Sequence, residues 1–592
     1  MATIQDVLAL AQRQQQAGQS DQAEAIYRRV LDFDPAQAEA LFALGVLCLT
    51  AGRPAEAADF LNRASSVVPG QAGIFLYLSL ARLNLDLLEA ALGAVETASA
   101  LDPSFPPVTL TRDSVLDSLF VHAERDFAAN RLSRAIARMR HVTRHRPAGS
   151  AGLARLGCYL TQAGELPEAI EKLRRAVELA PDDRGTLRDL VLALNLLEGT
   201  TTDEQLAVRR RYDECFMRPL ARQAATPASR RSSGRLRIGY VTGEFIRAHT
   251  ACDMLIPLFG GHDRERVDLF VYTDVAKERE DDVTHTVRGL VPGWRSTAGL
   301  SDADMAEVIR ADGIDVLIDA IGYSDACRLG VFARQPATIQ VNMTLMGPSG
   351  LDSAPYVITD KWMSPPETAG DYSEKFILVP SLYLYRPMVA LSPASSLPSQ
   401  ARGHVTFGCF NQLAKMSDRT LALWARILHA VPGSRLLLKA YALADEGIRQ
   451  RCHDRFAAHG IAAERVELRA WTGDFLQHMR AYDEIDIALD PLPYSGGTTT
   501  REALWMGVPV VTLPGATAVQ RYGLSILSVI GLSEGIARDE PDYLARTVAF
   551  ATDLGALARL RADLRGRMER SALCDGALFA RTIEAEFRKL LG

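Results

Sequence analysis

Residues 493–510 read PYSGGTTTREALWMGVPV, and their types suit the holding of an anion. The run IDIALD before them is strand-like and the residues after them follow a helical apolar pattern, so the segment predicts strand, glycine turn and helix. The first N–H groups of a helix lack intrahelical partners and carry the positive end of its dipole; the hydroxyls of Thr498, Thr499 and Thr500 add donors. Gly496 and Gly497 would let the backbone approach a ligand closely. Threonine is also an ordinary N-cap, so on these residues alone an anion cradle and a plain helix start are equal alternatives. A Walker-type loop is excluded, because no lysine follows the glycines at the required spacing. His249, a lone histidine after the run RLRIGYVT, is of a type that takes a hydroxyl proton near neutral pH, or it is structural. Asp302-Ala303-Asp304 spells a D-x-D of the kind that holds a divalent cation, yet within LSDADMAEVIR the better reading is a helix cap at Ser301 or Asp302 with acids complementing the dipole.

The elements that must position these residues alternate strand and helix from residue 235 onward. RLRIGYVT, DLFVYTD, IDVLIDAIG and YVITD form one series; VTFGCF, SRLLLKA, RVELRAW, IDIALD and VPVVTL form a second. Each describes a doubly wound parallel sheet, and two such lobes in tandem place their strand C-termini at a shared cleft, where ligands bind in open α/β sheets.

The first 200 residues carry a different pattern. Pro35, Pro69 and Pro103 lie 34 residues apart, as do Pro147 and Pro181; an alanine precedes each by 12, at Ala23, Ala57, Ala91, Ala135 and Ala169. Seventeen residues before the prolines stand Gly18, Gly52 and Gly164, with Asp86 and Asn130 in the other two copies. This is the logic of a helical hairpin: a residue tolerant of positive φ makes the turn, alanine allows close approach, and proline ends the second helix. The pattern resembles the tetratricopeptide repeat, whose stacked hairpins share one core and leave a groove for a protein partner. Ten residues are inserted around SFPPVTLTRD, where the array is expected to bend or break. RGTLRDLVLALNLLEG would cap the array, TTDEQLAVRRRYDECFMRPLARQ would connect it, and ATPASRRSSG reads as a flexible boundary. The expected domains are therefore 1–200, a connector at 201–234, a first lobe at 235–400 and a second at 401–592.

A net charge of −6 points away from nucleic acid as a partner. The eight cysteines are scattered with no metal-binding or redox pair, and neither a signal peptide nor an apolar run of membrane-spanning length is visible; a cytoplasmic protein with reduced thiols is expected.

FGCFNQLAKMS, LALWARILHAVPGSRLLLK, HMRAYDEIDIALDPLPYSGGTTTREALWMGVPVVTLPG and RLGVFARQPATIQ together resemble the O-GlcNAc transferase and SPINDLY family, glycosyltransferase family 41. The resemblance implies a tetratricopeptide superhelix that recruits protein acceptors to an inverting GT-B transferase, with two Rossmann-like lobes facing a cleft and no bound metal or other cofactor beyond the nucleotide sugar. Carried over by position, it implies that Gln412 and Lys415 hold the donor phosphates, that Thr498 and Thr499 donate to the same diphosphate, and that Glu502 serves the ribose. It places His478 against the base with Arg480 nearby in sequence, His249 at the acceptor and sugar, Asp312 beneath it, and Gly322 and Tyr323 in the turn after IDVLIDA. The chemistry is consistent: breaking a sugar–phosphate bond leaves negative charge on the diphosphate, which Lys415 and the 498–500 helix start would stabilise.

The departures fall in the first lobe. Where the family has a W-L-G-Y-P-G-T-type loop, residues 342–350 read NMTLMGPSG, and EFIRAHT places one extra residue before His249. The donor sugar is thus open: a UDP-linked sugar, or a CMP-linked nonulosonic acid with flagellin as acceptor, as in bacterial relatives of this architecture. A catalytically silent repeat adaptor is the contrasting reading.

Overall fold

The computed structural model describes residues 3–222, 234–243, 245, 252–324, 326–387, 391–392, 396–471 and 473–592. His249 and most of the expected flexible boundary lie outside the described residues. The chain divides into two compact units, Met1–Leu156 and Gly157–Gly592.

The first unit is a run of antiparallel helical hairpins. The five expected turn positions all adopt positive φ: Gly18 (78°), Gly52 (73°), Asp86 (57°) and Asn130 (55°) here, and Gly164 (78°) at the start of the second unit. All five phased alanines are fully buried, which leaves no room for a larger side chain between the packed helices. The inserted ten residues do not break the array. They lengthen one helix, Pro106–Ala128, to 23 residues against 13 for Ala38–Thr50 and Ala72–Asn84, and its two leading prolines occupy the first turn, where no intrahelical N–H bond is lost.

The second unit holds two parallel sheets. In the first, β1 (Leu236–Thr242), β2 (Val267–Thr273), β3 (Gly293–Ser296), β4 (Val316–Asp319), β5 (Ile339–Asn342), β6 (Tyr356–Thr359) and β7 (Lys375–Leu378) lie in the order β3-β2-β1-β4-β5-β6-β7. In the second, β8 (Thr406–Cys409), β9 (Arg435–Ala440), β10 (Val466–Ala470), β11 (Ile487–Leu489) and β12 (Val510–Val511) run β10-β9-β8-β11-β12. Both orders turn back on themselves beside the first strand, as doubly wound sheets do. Central strands are buried throughout: Leu436, Leu437 and Leu438 of β9 are at most 1% exposed, each contributing on the order of 2 kcal/mol of hydrophobic stabilisation. The short edge strands β3 and β7 escaped the sequence pattern because GWRS and KFIL are too brief and too polar-flanked to show alternation.

The unit boundary falls at 157, inside the helix Ser150–Ala163, whereas the repeat pattern extends to residue 200. The cause is a shared core. Ile170, Leu173, Leu187 and Leu190 from the last repeat-like helices pack in one cluster with Tyr323, Leu329 and Leu351 of the first lobe. Helix Thr202–Tyr212 continues this attachment: the Tyr212 ring meets Tyr323 edge-on at 5.2 Å between centroids. No helix among the described residues is long and apolar enough to cross a membrane.

Candidate active site

A cavity of about 970 Å³ opens where the strand C-termini of the two sheets converge. Residues following β4, β5, β8, β9 and β10 all contribute to its wall.

The centre of the second-lobe wall is the turn between β11 and helix Thr498–Trp505. Asp490, at the end of β11, shapes it: its carboxylate accepts from Ser495 Oγ (2.6 Å), Thr512 Oγ1 (2.6 Å) and the Gly496 N–H (2.6 Å). Gly496 is obligatory, since a Cβ there would sit 2.8 Å from the hydroxyls of Thr499 and Thr500 and 2.9 Å from Asp490. Gly497 occupies the N-cap position and supplies no side-chain cap, so the helix start faces the cavity uncapped. Thr498 and Thr499 line the cavity; Thr499 Oγ1 donates to Asn411 Oδ1 at 2.9 Å. Thr500 is 3% exposed and packs behind the turn instead of on the wall.

Lys415 joins this turn from the loop after β8. Its Nζ donates to the Ser495 carbonyl (3.2 Å) and lies 4.1 Å from the Tyr494 ring centroid, a cation over an aromatic face. Burial lowers its pKa to about 8, and the Asp490 carboxylate works against that fall. Gln412 lines the same wall.

Beside this cradle runs a polar chain. His478 Nε2 is 2.9 Å from Glu502 Oε2, its Nδ1 is 3.3 Å from Lys439 Nζ, and Tyr482 Oη is 3.0 Å from the same Glu502 oxygen. An ammonium has no lone pair to offer, so Nδ1 accepts from Lys439 and Nε2 carries the proton given to Glu502. Lys439 lies 5.1 Å over Trp471 and 5.7 Å over Phe410, with its pKa lowered chiefly by burial. Trp471 meets His478 edge-on at 4.6 Å.

Arg501 and Asp253 also line the cavity, as do Arg279 and Asp281. Arg501 is 2% exposed and donates to the Leu384 carbonyl (2.6 Å) and to Thr498 Oγ1 (3.0 Å). Asp253, in the first turn of helix Cys252–Gly261, has its pKa pushed up to about 6 by burial, with Arg501 opposing and Glu502 adding to the rise.

The glycosyl transferase family 41 profile matches residues 219–393 and 385–583, and the tetratricopeptide repeat profile matches 8–72 and 120–184. The chain belongs to glycosyl transferase family 41. It is 33% identical over 420 residues to the probable UDP-N-acetylglucosamine–peptide N-acetylglucosaminyltransferase SPINDLY of Solanum lycopersicum, covering 70% of this chain and 45% of that relative. It is 30% identical over 384 residues to the SEC protein of Arabidopsis thaliana, which carries the same probable activity in its name, covering 63% and 39%. The chain therefore spans less than half the length of these curated relatives. A solved mutant of the Thermobaculum terrenum O-GlcNAc transferase is similar along the whole chain: TM-score 0.67 at 29% identity, covering 100% of this chain and 98% of that one.

The cavity brings together Gln412, Lys415, His478, Gly497, Thr498, Thr499 and Glu502 of the residues that the sequence and the family resemblance singled out. Besides Thr500, Gly322 is not among the lining residues, its Cα facing Thr344, and Asp312, Tyr323 and Arg480 lie elsewhere. Asp312 ends helix Asp302–Asp312 and accepts from Arg295 (2.7 Å) and Tyr272 Oη (2.9 Å); it precedes β4 and so sits at the N-terminal edge of a parallel sheet whose C-terminal edge forms the cavity. Tyr323 is buried with its hydroxyl donating to the Ser349 carbonyl (2.7 Å), a structural bond behind the wall. Arg480 bonds the Ser392 carbonyl and Asp483; two residues past His478 on a helix is a rotation of about 200°, which turns it off the cavity. The D-x-D acids are spoken for: the Asp304 carboxylate accepts from Ser301 Oγ (2.7 Å), which also caps the Asp304 N–H (3.1 Å), and Asp302 accepts from Arg328 (3.0 Å). Sequence reasoning missed Lys439, Trp471, Arg501 and Asp253. For Lys439 a signal existed, a lysine closing the apolar run SRLLL at a strand's C-terminal end.

Proposed function

We propose that this chain is a protein O-glycosyltransferase that moves a sugar from a nucleoside-diphosphate donor, UDP-linked by analogy with the relatives' names, to a serine or threonine hydroxyl. The observation that carries this reading is the convergence of Lys415 with the uncapped helix start at Thr498 on one cavity wall, beside the His478–Glu502 pair. The helix dipole, the threonine hydroxyls, Lys415 and Arg501 would hold the diphosphate; the Lys439–Trp471–His478 wall would take the base and Glu502 the ribose.

In the transfer, the acceptor oxygen forms a bond to the anomeric carbon while the bond from that carbon to the diphosphate oxygen breaks. The electron pair leaves on the diphosphate, where Lys415 and the helix N–H groups stabilise it. The hydroxyl proton would go to a base of the first lobe, for which His249, on sequence grounds, and the cavity-lining Asp253 are candidates of suitable type. The repeat unit would recruit the acceptor. A donor with CMP in place of a nucleoside diphosphate, with flagellin as acceptor, is a weaker reading, because a diphosphate makes fuller use of the cradle. The placement of Lys415 speaks against a silent adaptor.

The deciding experiment pairs calorimetry on UDP, CMP and their sugars with transfer assays on Lys415→Ala. Binding of UDP by the native chain, and transfer lost by about 100-fold or more in the folded variant, is the expected outcome. No nucleotide binding by the native chain would end this proposal.

A further inference from the structure

Three residues of the loop after β5 have positive φ: Leu345 (65°), Gly347 (86°) and Gly350 (69°). Two are glycines, for which this conformation is free, and one is a leucine, for which it is costly. Among the described residues only Asp86, Asn130 and Gln335 share this conformation outside glycine, all polar, so Leu345 is the one apolar side chain held there.

The loop has no freedom to relax it. The carbonyls of Leu345, Met346, Pro348 and Ser349 accept from Tyr522 Oη (2.7 Å), Arg209 Nη2 (3.1 Å), Arg209 Nη1 (2.7 Å) and Tyr323 Oη (2.7 Å). Arg209 is 1% exposed, and a Cβ on Gly350 would meet its side chain at 2.8 Å. Strain kept in place by so many bonds is the usual mark of a functional constraint.

Leu345 also has a place in the same cavity as Lys415 and Thr498. It lines the cavity, and a short relay ties it to the phosphate cradle: Lys415 over Tyr494 at 4.1 Å, Tyr494 Oη to Tyr522 Oη at 3.4 Å, Tyr522 Oη to the Leu345 carbonyl at 2.7 Å. With the base on the Lys439–Trp471–His478 wall and the diphosphate at Lys415, the sugar of a bound donor would extend along this relay toward Leu345.

We propose that the strained Leu345 is a specificity-determining residue whose side chain limits the size of the sugar the cavity accepts. This rests on the donor-binding function above. The sugar's own contribution to binding is the ratio of the dissociation constant for UDP to that for the UDP-sugar. Calorimetry on the full chain with UDP, UDP-glucose and UDP-N-acetylglucosamine measures it for native protein, Leu345→Ala and Leu345→Gly. Removing the side chain in either variant should favour the larger sugar over the smaller by about tenfold, the scale on which a hydrophobic wall discriminates, with UDP affinity unchanged. Unchanged sugar preference in both variants with UDP still bound overturns the inference. So does a change in the glycine variant alone, which would assign the effect to the backbone. A native chain that binds none of the three ligands removes the function and the inference together.

Discussion

Glu502 accepts from His478 Nε2 at 2.9 Å although the two are 24 residues apart, and both are less than a tenth exposed. The pair fixes which imidazole nitrogen carries the proton and ties the Lys439–Trp471 wall of the cavity to the helix that opens at Thr498. Removing the carboxylate leaves the histidine N–H without its acceptor and the Tyr482 hydroxyl with only the Thr499 carbonyl, at 3.2 Å. Glu502→Ala should therefore destabilise the fold by about 1–3 kcal/mol as well as weaken UDP binding. Glu502→Gln, which keeps an acceptor, should lose UDP affinity by about tenfold with a smaller change in thermal midpoint. Equal melting of the two variants would contradict this account.

Lys415 gives a pH signature. With a pKa of about 8 in the empty site, it is charged at pH 7 and mostly neutral at pH 9, so UDP affinity should fall about tenfold between those values. Lys415→Arg should flatten that profile because arginine stays charged. Stability runs in the opposite direction: the folded chain holds this proton less tightly than the unfolded chain, so the empty protein should gain stability as pH rises from about 8 toward the ordinary lysine value of 10.5. Isothermal titration and thermal melts at matched pH read both effects.

If Asp253 is the proton acceptor, it works only when ionised. The rate of transfer at low donor should then rise with pH through about 6 and level off above it, since burial has lifted this carboxyl to that value against the pull of Arg501. Asp253→Asn should lose the rising limb and reduce turnover about 100-fold or more, while UDP binding stays within twofold. Retention of the limb in the variant would leave His249 as the better assignment.

How much of this was legible beforehand depended on whether the cause was local. The five hairpin turns were readable because Gly18, Gly52, Asp86, Asn130 and Gly164 are residue types that tolerate positive φ, and all five adopt it. The glycine turn and helix start after β11 were readable because they are contiguous in sequence. Asp312 misled because closeness to a strand in sequence does not reveal which end it joins; its place before β4 was the available clue. Arg480 failed on helical periodicity that the sequence did contain. Lys439, Trp471, Arg501 and Asp253 meet only in three dimensions, and Leu345 betrays itself through a backbone angle that a leucine in the sequence gives no reason to expect.

Arg209 supports the Leu345 loop without lining the cavity. Its guanidinium donates to the Met346 and Pro348 carbonyls and to Asn195 Oδ1 (2.9 Å). Arg209→Met fills similar space but leaves three buried acceptors unpaired, a cost of about 2–4 kcal/mol. Because those acceptors hold the Leu345 loop, the variant should lose affinity for UDP-sugars relative to UDP itself. A uniform loss for both ligands would place the effect outside the sugar side.

The boundary at residue 157 decides how recruitment and chemistry are separated experimentally. Deleting 1–200 removes Ile170, Leu173, Val177, Leu187, Leu190 and Val191 from a core shared with the first lobe. At about 1.5–3 kcal/mol for each buried aliphatic side chain, that loss is comparable with the whole stability of an ordinary domain. Such a truncation should be insoluble or molten and would say nothing about acceptor recognition. Deleting 1–149, just before helix Ser150–Ala163, keeps that core whole. The shorter deletion should melt cooperatively and bind UDP as the full chain does, yet modify its protein acceptor at least tenfold more slowly if the repeats recruit it. Equal acceptor modification by the 150–592 chain would show that the α/β unit selects its own substrate.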